Sequence, residues 1–291
     1  MSISASMVKE LRERTGAGMM ECKKALVETD GDMDSAVELL RKSGQAKADK
    51  KSSRVAADGR IVIAEGGGKA VIVEVNSETD FVAKDENFVA FAEAVAALAL
   101  ASGTTDVEAL AGEKLADGRT VESARTELIQ KVGENIGVRR IAAVSADGAI
   151  ASYAHGARIG VVIALQGGDE ELARDVAMHV AAMNPQYVSE ADVPADTLER
   201  ERRILTEQAQ DSGKPADIIE KMVTGRVNKF LKEITLLGQP FVKDDSVTVG
   251  KLLDGAGAKV AACVRFEVGE GIEKKADNFV EEVMAQVKGA S

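Results

Sequence analysis

Residues 60–75 read RIVIAEGGGKAVIVEV. Two apolar, largely β-branched runs, 60–64 and 70–75, flank Gly66-Gly67-Gly68, and that pattern predicts a β-hairpin. Downstream the period changes. Phe88, Phe91, Val95 and Leu98 recur at spacings of three, four and three, the stripe of an amphipathic helix. The same order returns 89 residues later. Ala146-Asp147-Gly148 matches Ala57-Asp58-Gly59, Arg158 with the run 159–165 matches Lys69 with its run, and a helix carries Leu172, Val176, His179, Val180 and Met183. The match is weak residue by residue but coherent in order, so the expected core is a duplicated strand–strand–helix unit of the α+β class.

Upstream of the hairpin the pattern is helical. Ser4 or Ser6 can cap a helix with Met7, Val8 and Leu11 on one face, stopping at Thr15-Gly16-Ala17-Gly18, where two glycines allow a sharp turn. A second helix over 19–28 carries Cys22, Ala25 and Leu26. Asp30-Gly31-Asp32 breaks it, and a third carries Met33, Ala36, Val37 and Leu40. Three short helices form a small bundle with little core to spare. Residues 42–54, rich in Lys, Ala and Ser with no large apolar side chain, read as a solvated helix end or linker. Residues 1–54 hold 11 Lys/Arg and 9 Asp/Glu, net +2, leaving 26 and 39 elsewhere, net −13; the asymmetry marks separate units.

Downstream, 194–237 reads as a helical hairpin. Helices over 197–210 and 216–234 flank Ser212-Gly213-Lys214-Pro215, with Leu198, Ile204, Leu205, Ile218, Ile219, Met222, Val223, Val227 and Phe230 available to zip the arms together. A strand over 260–268 and a short helix over 278–287 close the chain. The expected domains are therefore 1–54, a helical domain with its linker; 55–144, the first half of the core; and 145–291, the second half. That last part contains the hairpin at 194–237 and a C-terminal helical module at 270–291.

Composition narrows the function. The 291 residues are 45% apolar and 29% charged, as in a soluble globular protein of two or three domains. With no Trp and 3% aromatics, base-stacking surfaces are not expected, and a net charge of −11 repels a phosphate backbone. Nucleic acid is therefore not the expected partner. Cys22 and Cys263 are the only cysteines and His155 and His179 the only histidines, which argues against a disulfide framework, a Cys-rich metal site and an all-His zinc site. Residues 1–10 contain no apolar signal core and charges interrupt every long apolar run. The expectation is a cytoplasmic protein with no membrane association.

No catalytic constellation emerges. Gly66-Gly67-Gly68-Lys69 resembles a phosphate loop, but Ala70 follows the lysine and Ile63 stands where the first glycine belongs; hairpin chemistry explains it better. His179 lies on an apolar helix stripe, as a satisfied core or interface histidine would. His155 precedes a strand and has no local nucleophile, and no Ser occupies a Gly-x-Ser-x-Gly elbow. The expectation is no enzyme, with no catalytic residue, metal or cofactor. Two stretches could be contact surfaces instead. Met19 and Met20 follow a glycine turn and fit core filling and a soft binding surface equally. Thr79-Asp80-Phe81-Val82 joins strand to helix, where functional loops concentrate. Spacing alone favours the plainer reading there, with Phe81 extending the Phe88 stripe and Thr79 or Asp80 capping the helix.

LRERTGAGMMECKKAL (11–26) closely resembles the N-terminal signature of the bacterial translation elongation factor Ts family, and TDFVAKDENF (79–88) is similar to its second signature. Further similar runs are KVGENIGVRR (131–140), YAHGARIGVVIAL (153–165), HVAAMNPQYV (179–188), GQPFVKDD (238–245) and VRFEVGEGIEK (264–274). Family character is weakest over 101–123. The resemblance implies a guanine-nucleotide exchange factor for the GTPase elongation factor Tu, which delivers aminoacyl-tRNA. It implies an N-terminal domain like a ubiquitin-associated domain, contacting the GTPase through Arg12, Met19 and Met20. It further implies a segment, Thr79, Asp80, Phe81 and Val82, that perturbs the magnesium site, with Phe81 as a wedge. His155 would be a contact from the second half of the core, and the hairpin would be a protruding coiled coil. Direct nucleotide binding is not implied, and some family members pair two copies with two GTPases. A reading from another class is a passive adaptor that tethers partners through the bundle and the coiled coil.

Overall fold

The computed structural model describes residues 3–211 and 215–273. Helix α1 (Ala5–Thr15) starts where the Ser4 hydroxyl accepts the Met7 N–H at 3.2 Å and ends at Gly16 in the left-handed region, φ 68°. Helix α2 (Met19–Glu28) follows, and α3 (Met33–Lys51) is capped by the Asp32 carboxylate. Val8, Leu11, Ala17, Cys22, Ala25, Leu26, Ala36 and Leu40 meet between them, the stripe that helical spacing predicts.

Strands β1 (Asp58–Gly66) and β2 (Lys69–Ser77) form the expected antiparallel hairpin, with Val62 opposite Val73. Helices α4 (Glu86–Ser102), α5 (Val107–Gly112) and α6 (Val121–Val132) lead to β3 (Ile136–Ser145), which returns antiparallel beside β2. The second half repeats this plan. Strands β4 (Ala149–His155) and β5 (Ile159–Gln166) form a hairpin, and α7 (Glu170–Met183) packs on it.

Between α7 and the final strand lie α8 (Ala195–Gln210), α9 (Ala216–Ile234), β6 (Pro240–Phe241), β7 (Asp244–Thr248) and α10 (Val249–Gly255). Strand β8 (Lys259–Glu267) then pairs with β5. The repeating unit is thus strand–strand–helix–strand, one strand longer than the sequence pattern suggests. A bulge between Glu74 and Val75 in the β2–β3 pairing interrupts the register where Arg139 and Arg140 enter β3.

Alternation on the two middle strands explains why their apolar runs are unbroken. Val71, Val73 and Val75 face α4 and α6, while Ala70 and Ile72 face the other sheet. Val161, Ile163 and Leu165 face α7, while Val162 and Ala164 meet the first sheet. The core is a helix–sheet–sheet–helix stack in which both faces of each middle strand are buried. A backbone bond crosses between the sheets, from the Ile61 N–H to the Ala157 carbonyl at 2.8 Å, and the β5–β8 ladder runs on by one bond, from the Val268 N–H to the Arg158 carbonyl at 2.9 Å.

The duplication also shows in backbone packing. A Cβ on Gly59 would lie 2.1 Å from the Val75 carbonyl oxygen, and one on Gly148 would lie 2.0 Å from that of Leu165. These glycines stand 89 residues apart and do the same job, admitting the partner strand's backbone. Gly148→Ala is expected to cost about 1–3 kcal/mol, the usual range for overpacking. Gly137→Ala, whose Cβ would meet nothing within 4 Å, serves as the control. Equal urea midpoints for the two variants would contradict this packing.

Three expectations need correction. Residues 42–54 are a helix end rather than a linker, since α3 runs to Lys51, but not a wholly solvated one: Gly44 and Ala48 are buried, the latter in the α4–α6 core. Small side chains there let the helix lie close to its neighbours. In the hairpin, Ala209, Val223, Val227 and Leu231 are buried with Leu198, Leu205 and Ile219 against them, but Ile204 and Ile218 face outward. The third concerns Phe81, below. Most of the expected hairpin turn, 212–214, and the expected helix over 278–287 lie outside the described residues.

Two of the buried polar side chains, His179 and Glu74, can titrate. His179 accepts the Val242 N–H on Nδ1 at 3.1 Å, so Nε2 carries the proton and donates to Gln239 at 2.9 Å. Burial lowers its pKa, opposed by the Gln239 bond; it is a satisfied core histidine. Glu74 sits where the inward face of β2 meets the end of β8. It accepts from the Gly269 N–H at 2.7 Å, Asn76 at 3.0 Å, Arg140 Nε at 2.6 Å and Arg139 Nη1 at 3.1 Å. The arginines continue to the Glu270 and Glu267 carbonyls, and Arg140 lies 4.2 Å over the Phe266 ring. Burial alone would raise the Glu74 pKa, but the Gly269 N–H, the Asn76 amide and Arg140 outweigh it and hold the group below its ordinary value. This carboxylate fastens the second half of the core to the first.

Candidate functional site

Strand β2 ends at Ser77, and α4 begins after Asp85, whose side chain accepts the Asn87 and Phe88 N–H groups at 2.9 and 3.3 Å. The connection between them is fixed at both ends. Thr79 donates its N–H and its hydroxyl to the two oxygens of Glu134 at 2.9 and 2.7 Å, and the Ser77 hydroxyl donates to the Thr79 carbonyl at 2.9 Å. Beyond it, a single 3₁₀ turn over Val82–Lys84 buries Ala83. Arg60 donates to the Ala83 carbonyl at 3.3 Å.

Phe81, at the apex, is 81% exposed, whereas Phe88 is fully buried. Phe81 therefore does not extend the α4 stripe. Asp85 is extended, at φ −62° and ψ 133°, and breaks the helical phase between the two rings. Thr79 does not cap α4 either; Asp85 does. Val82 is half-buried. Asp80 is exposed and 2.7 Å from Lys84, whose ammonium holds the carboxyl below its usual range.

The other expected contact residues are also at the surface. Met19 and Met20 are 60% and 74% exposed, so core filling is the wrong reading for both. The inward face of α2 is Cys22, Ala25 and Leu26. Met20 and Val27 form a shallow apolar trough rimmed by Glu21, Lys23, Lys24 and Glu28. Arg12, in the last turn of α1, is exposed. His155 is exposed at the end of β4, with Tyr153 Oη 3.2 Å from its Nδ1.

Neighbours of these residues approach the end of β2 and the start of α4. Arg158, in the turn after His155, pairs with Asp58 at 3.3 Å, and Asp58 lies opposite Ser77. On the other side, Thr15 and Gly16 at the end of α1 share a cleft of about 390 Å³ with Asn87 and Ala90 of α4.

Sequence reasoning missed the residues that hold the loop. Glu134 grips Thr79. Asn135 donates its N–H to Glu78 at 2.6 Å and its amide to the Arg54 carbonyl at 2.9 Å. Both lie in the run 131–140, but nothing in the local pattern says what they face.

The arrangement offers an exposed aromatic side chain beside a carboxylate, on a loop hydrogen-bonded at both ends. Among the described residues, no group of three or more His, Cys, Asp and Glu is placed to hold a metal ion, and no helix is long and apolar enough to cross a membrane.

Known proteins resemble this chain along its whole length. The family model for elongation factor TS matches residues 78–270. Proteins named elongation factor Ts from Alkalilimnicola ehrlichii and Thioalkalivibrio sulfidiphilus are 62% and 61% identical, each over 100% of both chains. That from Legionella pneumophila strain Lens is 58% identical over 99% of both chains. By its signatures, its fold and these likenesses, the chain belongs to the elongation factor Ts family.

Proposed function

We propose that this chain is the guanine-nucleotide exchange factor for elongation factor Tu in translation, acting in the cytoplasm without a cofactor or catalytic residue of its own. The observation that carries the reading is Phe81: a large aromatic ring held in solvent by a loop pinned on both sides. It wedges between helices of the GDP-bound GTPase while Asp80 presents a carboxylate near the magnesium site, with Thr79 and Val82 shaping the loop. Close-packed interiors transmit such a displacement, and disturbing Mg²⁺ uncovers phosphate charge that the ion had neutralised. Linkage supplies the rest: a factor that prefers the nucleotide-free state weakens nucleotide binding by the same ratio, about 150-fold for a coupling of about 3 kcal/mol. GTP then enters, and nucleotide concentrations set the direction.

Arg12, Met19 and Met20 form the contact of the ubiquitin-associated-like N-terminal domain, and His155 adds one from the second half of the core. The α8–α9 hairpin is the coiled coil, and two copies of the chain can share a two-plus-two complex. The factor itself binds neither nucleotide nor nucleic acid.

Met20→Asp puts a charge into the apolar trough and is expected to weaken GTPase binding about tenfold or more, as loss of an anchor does. Its unfolding temperature should stay unchanged because the residue is exposed. Unchanged affinity in a calorimetric titration would remove this contact. Exchange is separated from tethering by the release rate of a fluorescent GDP analogue, which an adaptor leaves unaltered on binding.

A further inference from the structure

We infer that Glu134 is a positioning residue for exchange, acting on the GTPase only through Thr79 and Phe81; the inference rests on the reading of Phe81 as the wedge. A wedge displaces its target only if the target yields before the wedge does, so the loop behind Phe81 must be stiff before contact. Pre-ordering also removes the cost of fixing the loop at the moment of binding.

The structure supplies that stiffness from far away in sequence. Both Glu134 oxygens are spent on Thr79, one on the backbone N–H and one on the hydroxyl, two residues before Phe81. The neighbouring Asn135 N–H holds Glu78, and Arg60 secures the Ala83 carbonyl two residues after Phe81. Glu134 follows Gly133, whose left-handed conformation ends α6 at φ 83° and directs the chain toward the loop. A carboxylate suits the task because its two oxygens accept both donors of one residue, whereas an amide offers a single acceptor.

The test is stimulated GDP release from elongation factor Tu, titrated with the full chain carrying Glu134→Ala, Glu134→Gln, Phe81→Ala or Glu134→Ala with Phe81→Ala. Glu134→Ala is expected to lower the maximal release rate about fivefold, with the half-maximal concentration shifted less than about threefold, because the loop's order and not its contact area is lost. Glu134→Gln, keeping one acceptor, should lose less. In the Phe81→Ala background, adding Glu134→Ala should change nothing further, the non-additivity expected of residues acting as a unit. Losses that multiply in the double variant would make Glu134 a structural residue and overturn the inference. Should Glu134→Ala fail to fold, Thr79→Val removes the hydroxyl donor alone and is held to the same cycle. A silent Phe81→Ala would overturn the exchange mechanism along with this inference, whereas an impaired Phe81→Ala with multiplying losses overturns this inference alone.

Discussion

Phe81→Ala is expected to slow stimulated GDP release about 30-fold, the loss that follows from truncating an aromatic anchor worth about 2 kcal/mol. Folding should be indifferent to it. The ring is 81% exposed, and exposed substitutions usually stay within about 0.5 kcal/mol. The loop is held by Glu134, Ser77 and Arg60 through Thr79 and Ala83, none of which the substitution touches. Thermal unfolding and release kinetics on one preparation separate the effects. A collapse in unfolding temperature would mean that the ring supports the fold; unchanged kinetics would mean that it is not the wedge.

The second large effect concerns stability. Glu74→Ala leaves Arg139 and Arg140 without their shared carboxylate at the join between the two halves. Breaking a buried pair by removing one partner costs about 3–5 kcal/mol. Here both arginines remain roughly a third exposed, so water offsets part of the loss, and about 2–3 kcal/mol is the expected result. The pH dependence has a definite sign. The folded pKa of Glu74 lies below the ordinary 4.5, so its stabilisation is complete above that value and is lost as pH falls through the folded pKa. Urea unfolding at neutral pH and near pH 3 should show the wild-type chain losing more stability on acidification than Glu74→Gln loses. Equal losses would show that the carboxylate does not couple folding to pH.

What was legible follows from how local each signal is. The two hairpins stand out because β2 and β5 are apolar on both faces and end at turns. The stripes of α1, α2 and α4 repeat at helical spacing, and His179 declares itself by lying on one. Strand β3 was missed because Arg139 and Arg140, paired across the bulge with Glu74, put charge where alternation calls for apolar residues. In 42–54, the small residues that allow close packing look the same in sequence as those of a linker.

The site was legible through likeness more than through pattern. Spacing alone placed Phe81 on the α4 stripe, and only the break at Asp85 takes it off. Met19 and Met20 could have filled the bundle core, but Cys22, Ala25 and Leu26 already do. Glu134 and Thr79 lie 55 residues apart, and no local rule links them.

The central claim is that this chain accelerates nucleotide release rather than merely holding the GTPase. Elongation factor Tu loaded with a fluorescent GDP analogue, chased with excess unlabelled nucleotide, tests it when the chain is added well below stoichiometry. Release of essentially all the bound analogue at a rate proportional to the added chain is the expected result, since each copy must dissociate and act again. Binding with no change in the release rate would contradict the account and leave a tether in its place.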